Sequence, residues 1–139
     1  MNPVLSRREL FALLGFLALV GAWFLLPDIR QPQAYHAFAN TRTWLGIPNA
    51  ADTLSNLAFT AVGLLGLWYL PRFAQVRGLG IVTMRCLRVI FPGFLFTGFG
   101  SAWYHLSPDD SRLLWDRLPM TIVFAGVAGA IFSRRVSER

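Results

Sequence analysis

Val89–Pro108 reads VIFPGFLFTGFGSAWYHLSP, and these 20 residues include no Asp, Glu, Lys or Arg. A helix needs about 20 mainly apolar residues to cross the hydrocarbon core of a bilayer. Buried strands run for only about 4–8 residues, and strands with one polar face alternate apolar with polar positions, which this stretch does not do. The stretch therefore predicts a membrane-spanning helix.

Three further uncharged stretches have similar character: Leu10–Leu26, Thr53–Pro71 and Leu118–Ser133, of 17, 19 and 16 residues. Over all 139 residues 55% are apolar and 14% are charged, against about 25% charged in soluble domains. In hydrocarbon only helices and closed barrels satisfy the backbone internally. We predict an all-α polytopic membrane bundle, a single transmembrane domain over residues 1–139 with four spans at about 9–27, 52–71, 84–106 and 117–133.

The placement of arginine predicts the orientation, since the chain has no lysine. If the four spans thread up and down, one side holds nine arginines and two glutamates, net +7, and the other holds four arginines and five aspartates, net −1. By the positive-inside rule both termini are cytoplasmic. The net charge of +6 does not indicate nucleic-acid binding, because no basic stripe interleaves with aromatic residues.

The first apolar stretch could instead be a secretion signal, because Arg7 and Arg8 precede it. It ends in Trp23-Phe24-Leu25-Leu26-Pro27 without the small-x-small site that a signal peptidase cleaves. We therefore predict an uncleaved first span.

Polar residues gather at the outer ends of the last three predicted spans. Groups of this kind at membrane depth are costly and are usually functional. The inner ends hold arginines and glutamates that are typical anchors. The outer set comprises Asp52, Ser55, Asn56, Ser101, His105 and Asp116.

Ser101 and His105 are four residues apart, so a helix places them on one face. A hydroxyl beside an imidazole can orient a water, a metal ligand or a substrate carbonyl. Alternatively, Ser101 bonds back to its own helix and His105 is a satisfied polar end. Asp116, at the mouth of the fourth span, could accept a hydrogen bond from His105 or approach a metal. Its alternative is a salt bridge with Arg117 or Arg112.

The second span opens with polar residues that could bind a cation. Asn49, Asp52 and Asn56 carry oxygen atoms of the kind that hard cations accept, and they form a candidate calcium or structural polar site. Asp52 could equally cap the helix. Ser55 and Asn56 point into the span and are expected to take partners from other helices.

The residues Ser107-Pro108-Asp109-Asp110 predict the start of the helix that contains the fourth span. Ser107 is expected as the N-cap, with Pro108 in the first turn and the two acids near the positive end of the helix dipole. Because this explanation is structural, Asp109 and Asp110 are assigned no chemistry.

The sequence resembles the alkaline ceramidase family of membrane hydrolases, within the superfamily of adiponectin-receptor-like proteins. The resemblance runs from about residue 35 to residue 133 and is carried by Gly98-x-Gly100-Ser101-x3-His105, Trp115-Asp116-x-Leu118-Pro119-Met120 and Asp52-x-Leu54-Ser55-Asn56. It implies a seven-helix bundle with zinc, of which this chain covers about the first three helices plus an extra N-terminal one. The implied activity is hydrolysis of ceramide to sphingosine and a fatty acid. His105 would be a zinc ligand, Ser101 would stabilise the oxyanion, and Asp116 would orient or activate the water.

The chain also departs from that family. The family takes two more zinc ligands from a His-x3-His pair on its last helix, and this chain has no histidine after His105. A substitute set of His36, His105 and Asp116 is conceivable; otherwise the remaining ligands come from further helices or a second chain. The family's calcium site uses acids, and Asn40 and Asn49 stand in that region here, which weakens the case for calcium. The alternative function is a non-catalytic four-helix membrane protein that keeps the motif for packing or lipid binding.

Overall fold

The computed structural model describes residues 6–27, 31–75 and 79–137. Its helices are α1 (Arg7–Leu25), α2 (Ala50–Ser55), α3 (Leu57–Phe73), α4 (Ile81–Leu106) and α5 (Asp110–Phe132). A short 3-10 turn covers Gln33–His36, and a π-helical turn, Ser133–Ser137, follows α5. No strand occurs in these ranges, and four helical segments are long and apolar enough to cross a membrane: Arg7–Leu25, Ala50–Phe73, Ile81–Leu106 and Asp110–Arg135. The prediction of an all-α bundle with four spans is confirmed.

The start of α5 differs from the sequence-based expectation. Asp109, not Ser107, is its N-cap: the Asp109 carboxylate accepts a hydrogen bond of 2.8 Å from the main-chain amide of Arg112. Ser107 instead ends α4, because its amide donates to the carbonyl of Tyr104. The prediction of Ser107 as N-cap is therefore wrong, since the chain needs Ser107 and Pro108 to turn between two helices.

The second span is interrupted at Asn56, between α2 and α3. The hydroxyl of Ser55 and the amide of Asn56 both donate to the main-chain carbonyl of Asp52, each at 2.8 Å. Local side-chain bonds of this kind compete with the regular helical bonds. Ser55 and Asn56 thus find their partner within their own helix, and the expectation that they bind other helices is wrong.

Helices α3, α4 and α5 pack as antiparallel neighbours, with α4 in the middle. Gly63 of α3 lies against the main chain of Leu95 in α4, and Gly126 of α5 lies against Ile90 near the start of α4. Helix α1 buries none of its residues, and among the described helices its backbone comes close only to the Ser133–Ser137 turn. Its side chains nevertheless line an apolar groove together with those of α5.

The antiparallel order creates two different ends. The start of α2, the end of α4, the start of α5 and the connecting segment of residues 31–49 form what we call the polar end. The start of α1, the end of α3, the start of α4 and the end of α5 form the arginine end. The arginine end carries exposed Arg7, Arg8, Arg72, Arg85, Arg88, Arg134 and Arg135.

Candidate functional site

Close helix contacts define the level of the candidate site. A Cβ at Gly98 would overlap the Thr60 side chain and approach the main chain of Asn56, so α4 touches the break between α2 and α3 there. A Cβ at Gly100 would overlap the main-chain carbonyl of Trp115, so α4 also touches the second turn of α5. Both neighbours therefore reach α4 beside Ser101.

Ser101 is buried, with 6% of its surface exposed. Its hydroxyl makes no hydrogen bond to any residue that the structure describes, whereas Thr97, one turn earlier, donates to the Gly93 carbonyl at 2.8 Å. Thr97 thus bonds back to its own helix, whereas Ser101 does not, so that alternative for Ser101 is not observed. The hydroxyl of this buried residue therefore bonds to no protein group that the structure describes.

His105 is held firmly, but its side chain is not satisfied. Its Nδ1 atom is buried and has no hydrogen-bond partner among the described residues. The ring packs against Phe38, with centroids 4.7 Å apart, and the main-chain carbonyl accepts a bond of 2.8 Å from the Asn49 side-chain amide. Leaving a buried polar atom without a partner destabilises the folded protein by about 1–3 kcal/mol. A hydrogen bond to a ligand or a water would remove this penalty.

Asp116 is half-buried on the second turn of α5. Within residues 6–27, 31–75 and 79–137 its carboxylate makes neither a salt bridge nor a hydrogen bond. The two arginines that could have paired with it have other positions. The Arg117 guanidinium lies 5.1 Å from the centre of the Tyr35 ring, and Arg112 pairs with Asp109 at 3.3 Å. Among the described residues, therefore, neither the salt bridge nor the bond from His105 is formed.

The residues of the candidate cation site lie at the same end of the bundle, where they have structural roles. Asn49 precedes α2 in the left-handed region, with φ of 46°, and its amide holds the His105 carbonyl. Asp52 lies in the first turn of α2 and does not cap it, while buried Asn56 binds the Asp52 carbonyl. The side-chain oxygen atoms of these residues are not used in those bonds.

No group of three or more His, Cys, Asp or Glu side chains placed for a metal ion occurs in the described part of the chain. The substitute set of His36, His105 and Asp116 is therefore not brought together. His36 is occupied elsewhere: its Nδ1 lies 2.8 Å from the Tyr104 hydroxyl and its Nε2 lies 2.9 Å from the Asp110 carboxylate.

Sequence reasoning missed this His36 cluster. The Gln33 amide binds the second oxygen of Asp110 at 2.9 Å, so Asp110 has a partner role beyond its place near the helix dipole. His36 lies 68 residues from Tyr104 and 74 from Asp110, and no local pattern connects such distant positions.

The electrostatics of the α5 start are set by hydrogen bonds. The Ser111 hydroxyl and then the Arg112 main-chain amide donate to Asp109 and lower the pKa of its carboxyl below the usual value. Asp109 is therefore ionised and stabilises the first turn of α5.

Comparison with protein-family models, with curated proteins and with solved structures finds no match.

Proposed function

We propose that this chain contributes to a membrane-embedded, zinc-dependent hydrolase of the ceramidase type, which cleaves the amide bond of a ceramide-like lipid. The proposal rests on three side chains at one end of the bundle whose polar groups make no hydrogen bond to any described residue. Ser101, His105 and Asp116 are the residues that the family resemblance selects, and no described residue bonds to their side-chain polar groups. Structural residues are normally satisfied, whereas reactive groups are kept available.

The donors present fit zinc only in part. Nδ1 of His105 suits one ligand position, because it is a buried imidazole nitrogen with no competing partner. Catalytic zinc sites usually take three protein ligands, and the described residues provide no such group. The proposal therefore requires a second chain, or further helices, to complete the metal site. When bound, zinc would supply polarisation of the amide carbonyl and a more acidic water.

The chain's own residues would act as follows. The Ser101 hydroxyl donates a hydrogen bond to the amide oxygen as negative charge develops on it. Asp116 takes a proton from the attacking water, whose oxygen adds to the carbonyl carbon. The C–N bond then breaks, and the proton passes from Asp116 to the leaving nitrogen. The products are a primary amine and a carboxylic acid, so atoms and charge balance.

We propose an orientation on the basis of the arginine end. Exposed arginines in four separate segments favour the cytoplasmic side, and the polar end with the candidate site would then lie at the outer face. Labelling tests this directly. In a Cys86→Ser background, a membrane-impermeant maleimide should label Ala37→Cys in intact cells and Gln75→Cys only after permeabilisation. The reverse result would invert the orientation.

The enzymatic proposal is tested in native membranes. Membranes of cells that carry the chain should release fatty acid from a short-chain fluorescent ceramide, and a zinc chelator should abolish the release. Ser101→Ala or Asp116→Asn should lower the rate by about 10²–10³, the usual effect of losing such a group. Ser107→Ala, an exposed serine at the same end, is the matched control. Hydrolysis that is unchanged after deletion of the chain would sink the proposal.

A non-catalytic role is the second candidate. Gly98 and Gly100 bring the helices into contact, so part of the motif already has a packing task. On this alternative, substituting Ser101 or His105 would change the lipid binding or the stability of the protein. Membranes that contain the protein would cleave no amide lipid.

A further inference from the structure

The connecting segment, residues 31–49, lies across the polar end and is attached at both of its ends. Near its start, His36 binds Tyr104 of α4 and Asp110 of α5. At its finish, Asn49 binds the main-chain carbonyl of His105. The attachments are made to three different residues on two helices, so the segment ties α4 to α5 at the level of the candidate site.

The proton arrangement in the His36 contacts follows from the partners. An ionised carboxylate only accepts hydrogen bonds, so Nε2 of His36 carries the hydrogen that goes to Asp110. In a neutral imidazole the other nitrogen is then an acceptor, to which a hydroxyl such as that of Tyr104 can donate. Tyr104 is 2% exposed, and this bond satisfies a hydroxyl that would otherwise be buried without a partner.

The same segment covers the His105 side chain. Phe38, two residues after His36, packs edge-on against Tyr104 and at a tilt against His105, with ring centroids 5.7 Å and 4.7 Å away. His105 also contacts the ring of Tyr104, at 5.3 Å. His105 is therefore held by the segment on its ring and on its main chain.

We infer that His36 is a positioning residue, which fixes the His105 imidazole by joining Asp110 to Tyr104 and so holding Phe38 against the His105 ring. The importance of His105 for chemistry rests on the proposed function, but the positioning itself does not. His36 touches neither Ser101 nor Asp116 in any of these contacts and acts only through Tyr104 and Phe38.

Because the chain has two histidines, the imidazole resonances of ¹⁵N-labelled protein in lipid nanodiscs can be assigned with one variant. Asp110 is the informative partner, since its side chain is 62% exposed and His36 joins it to Tyr104, whose ring contacts His105. Asp110→Asn should shift the His105 ring resonances, and His36→Phe should shift His105 further. Gln33→Ala removes only the second bond to Asp110 and should leave His105 unchanged.

The same spectra can also overturn the inference. His105 resonances that stay in place in both His36→Phe and Asp110→Asn would overturn the inference. Should His36→Phe fail to fold, Asp110→Asn decides alone, because that change is at an exposed helix start. A shift in Gln33→Ala as large as in Asp110→Asn would also count against a route through His36. No hydrolysis is measured, so an inactive chain would refute the proposed function and leave this result standing.

Discussion

The α-carbon of Gly100 faces the main-chain carbonyl oxygen of Trp115 so closely that a Cβ at position 100 would overlap that oxygen. This contact joins α4 to the second turn of α5. Ser101 follows Gly100 in α4, and Asp116 follows Trp115 in α5. The approach of the two backbones therefore brings a free hydroxyl and a free carboxylate to the same level of the bundle.

Gly100→Ala should destabilise the protein by about 1–3 kcal/mol, because the added methyl group meets backbone that must shift. Thermal or denaturant unfolding in detergent micelles measures the change. Gly15→Ala is the matched control, since a Cβ there meets nothing within 4 Å and alanine favours a helix by about 1 kcal/mol. Equal stability of the two variants would contradict the close contact.

Ser101→Ala should leave the free energy of unfolding unchanged or raise it, because the hydroxyl bonds to no described residue and its removal breaks no protein hydrogen bond. On the proposed function the same variant loses hydrolysis. Thr97→Val is the converse case: it removes a bond to Gly93 worth about 1 kcal/mol and should keep the activity. A large stability loss in Ser101→Ala would show that its hydroxyl has a structural role.

Asn49 is expected to contribute in two separable ways. Its amide binds the His105 carbonyl, and its φ of 46° is a conformation that asparagine and glycine tolerate. Asn49→Gly loses the bond but has no Cβ to strain, whereas Asn49→Ala loses the bond and keeps a Cβ in the left-handed region without a polar side chain to compensate, at a further cost of about 1–2 kcal/mol. Unfolding measurements should therefore rank wild type above Asn49→Gly and Asn49→Ala last. An alanine variant as stable as the glycine variant would be inconsistent with this backbone geometry.

The cap at Asp109 predicts a pH dependence at the start of α5. Hydrogen bonds from Ser111 and Arg112 lower the pKa of Asp109 in the folded state, so its stabilisation is fully present above the usual pKa of about 3.9 and is lost as pH falls through the lowered folded value. Amide exchange in the first turn of α5 should show this loss in the wild type. Asp109→Asn, a neutral cap, should show little change over the same range, and parallel profiles would refute the assignment.

The sequence was sufficient to predict four spans and one polar end. Length, hydropathy and the four-residue spacing of Ser101 and His105 are local properties, and the membrane environment makes them decisive because unsatisfied backbone is so costly in hydrocarbon. The grouping of Asp116 with these residues also followed, since alternate helices that run up and down place these positions at one end.

Other features depended on the folded arrangement. The Ser107 cap failed because Asp109 offers a charged acceptor one turn from the Arg112 amide. The break at Asn56 arose from competition for one carbonyl. The link from His36 to Tyr104 and Asp110 joins positions about 70 residues apart. Hydrophobicity determines which segments enter the membrane, but hydrogen bonds between distant side chains exist only after the helices have packed, and those bonds decide how His105 is held.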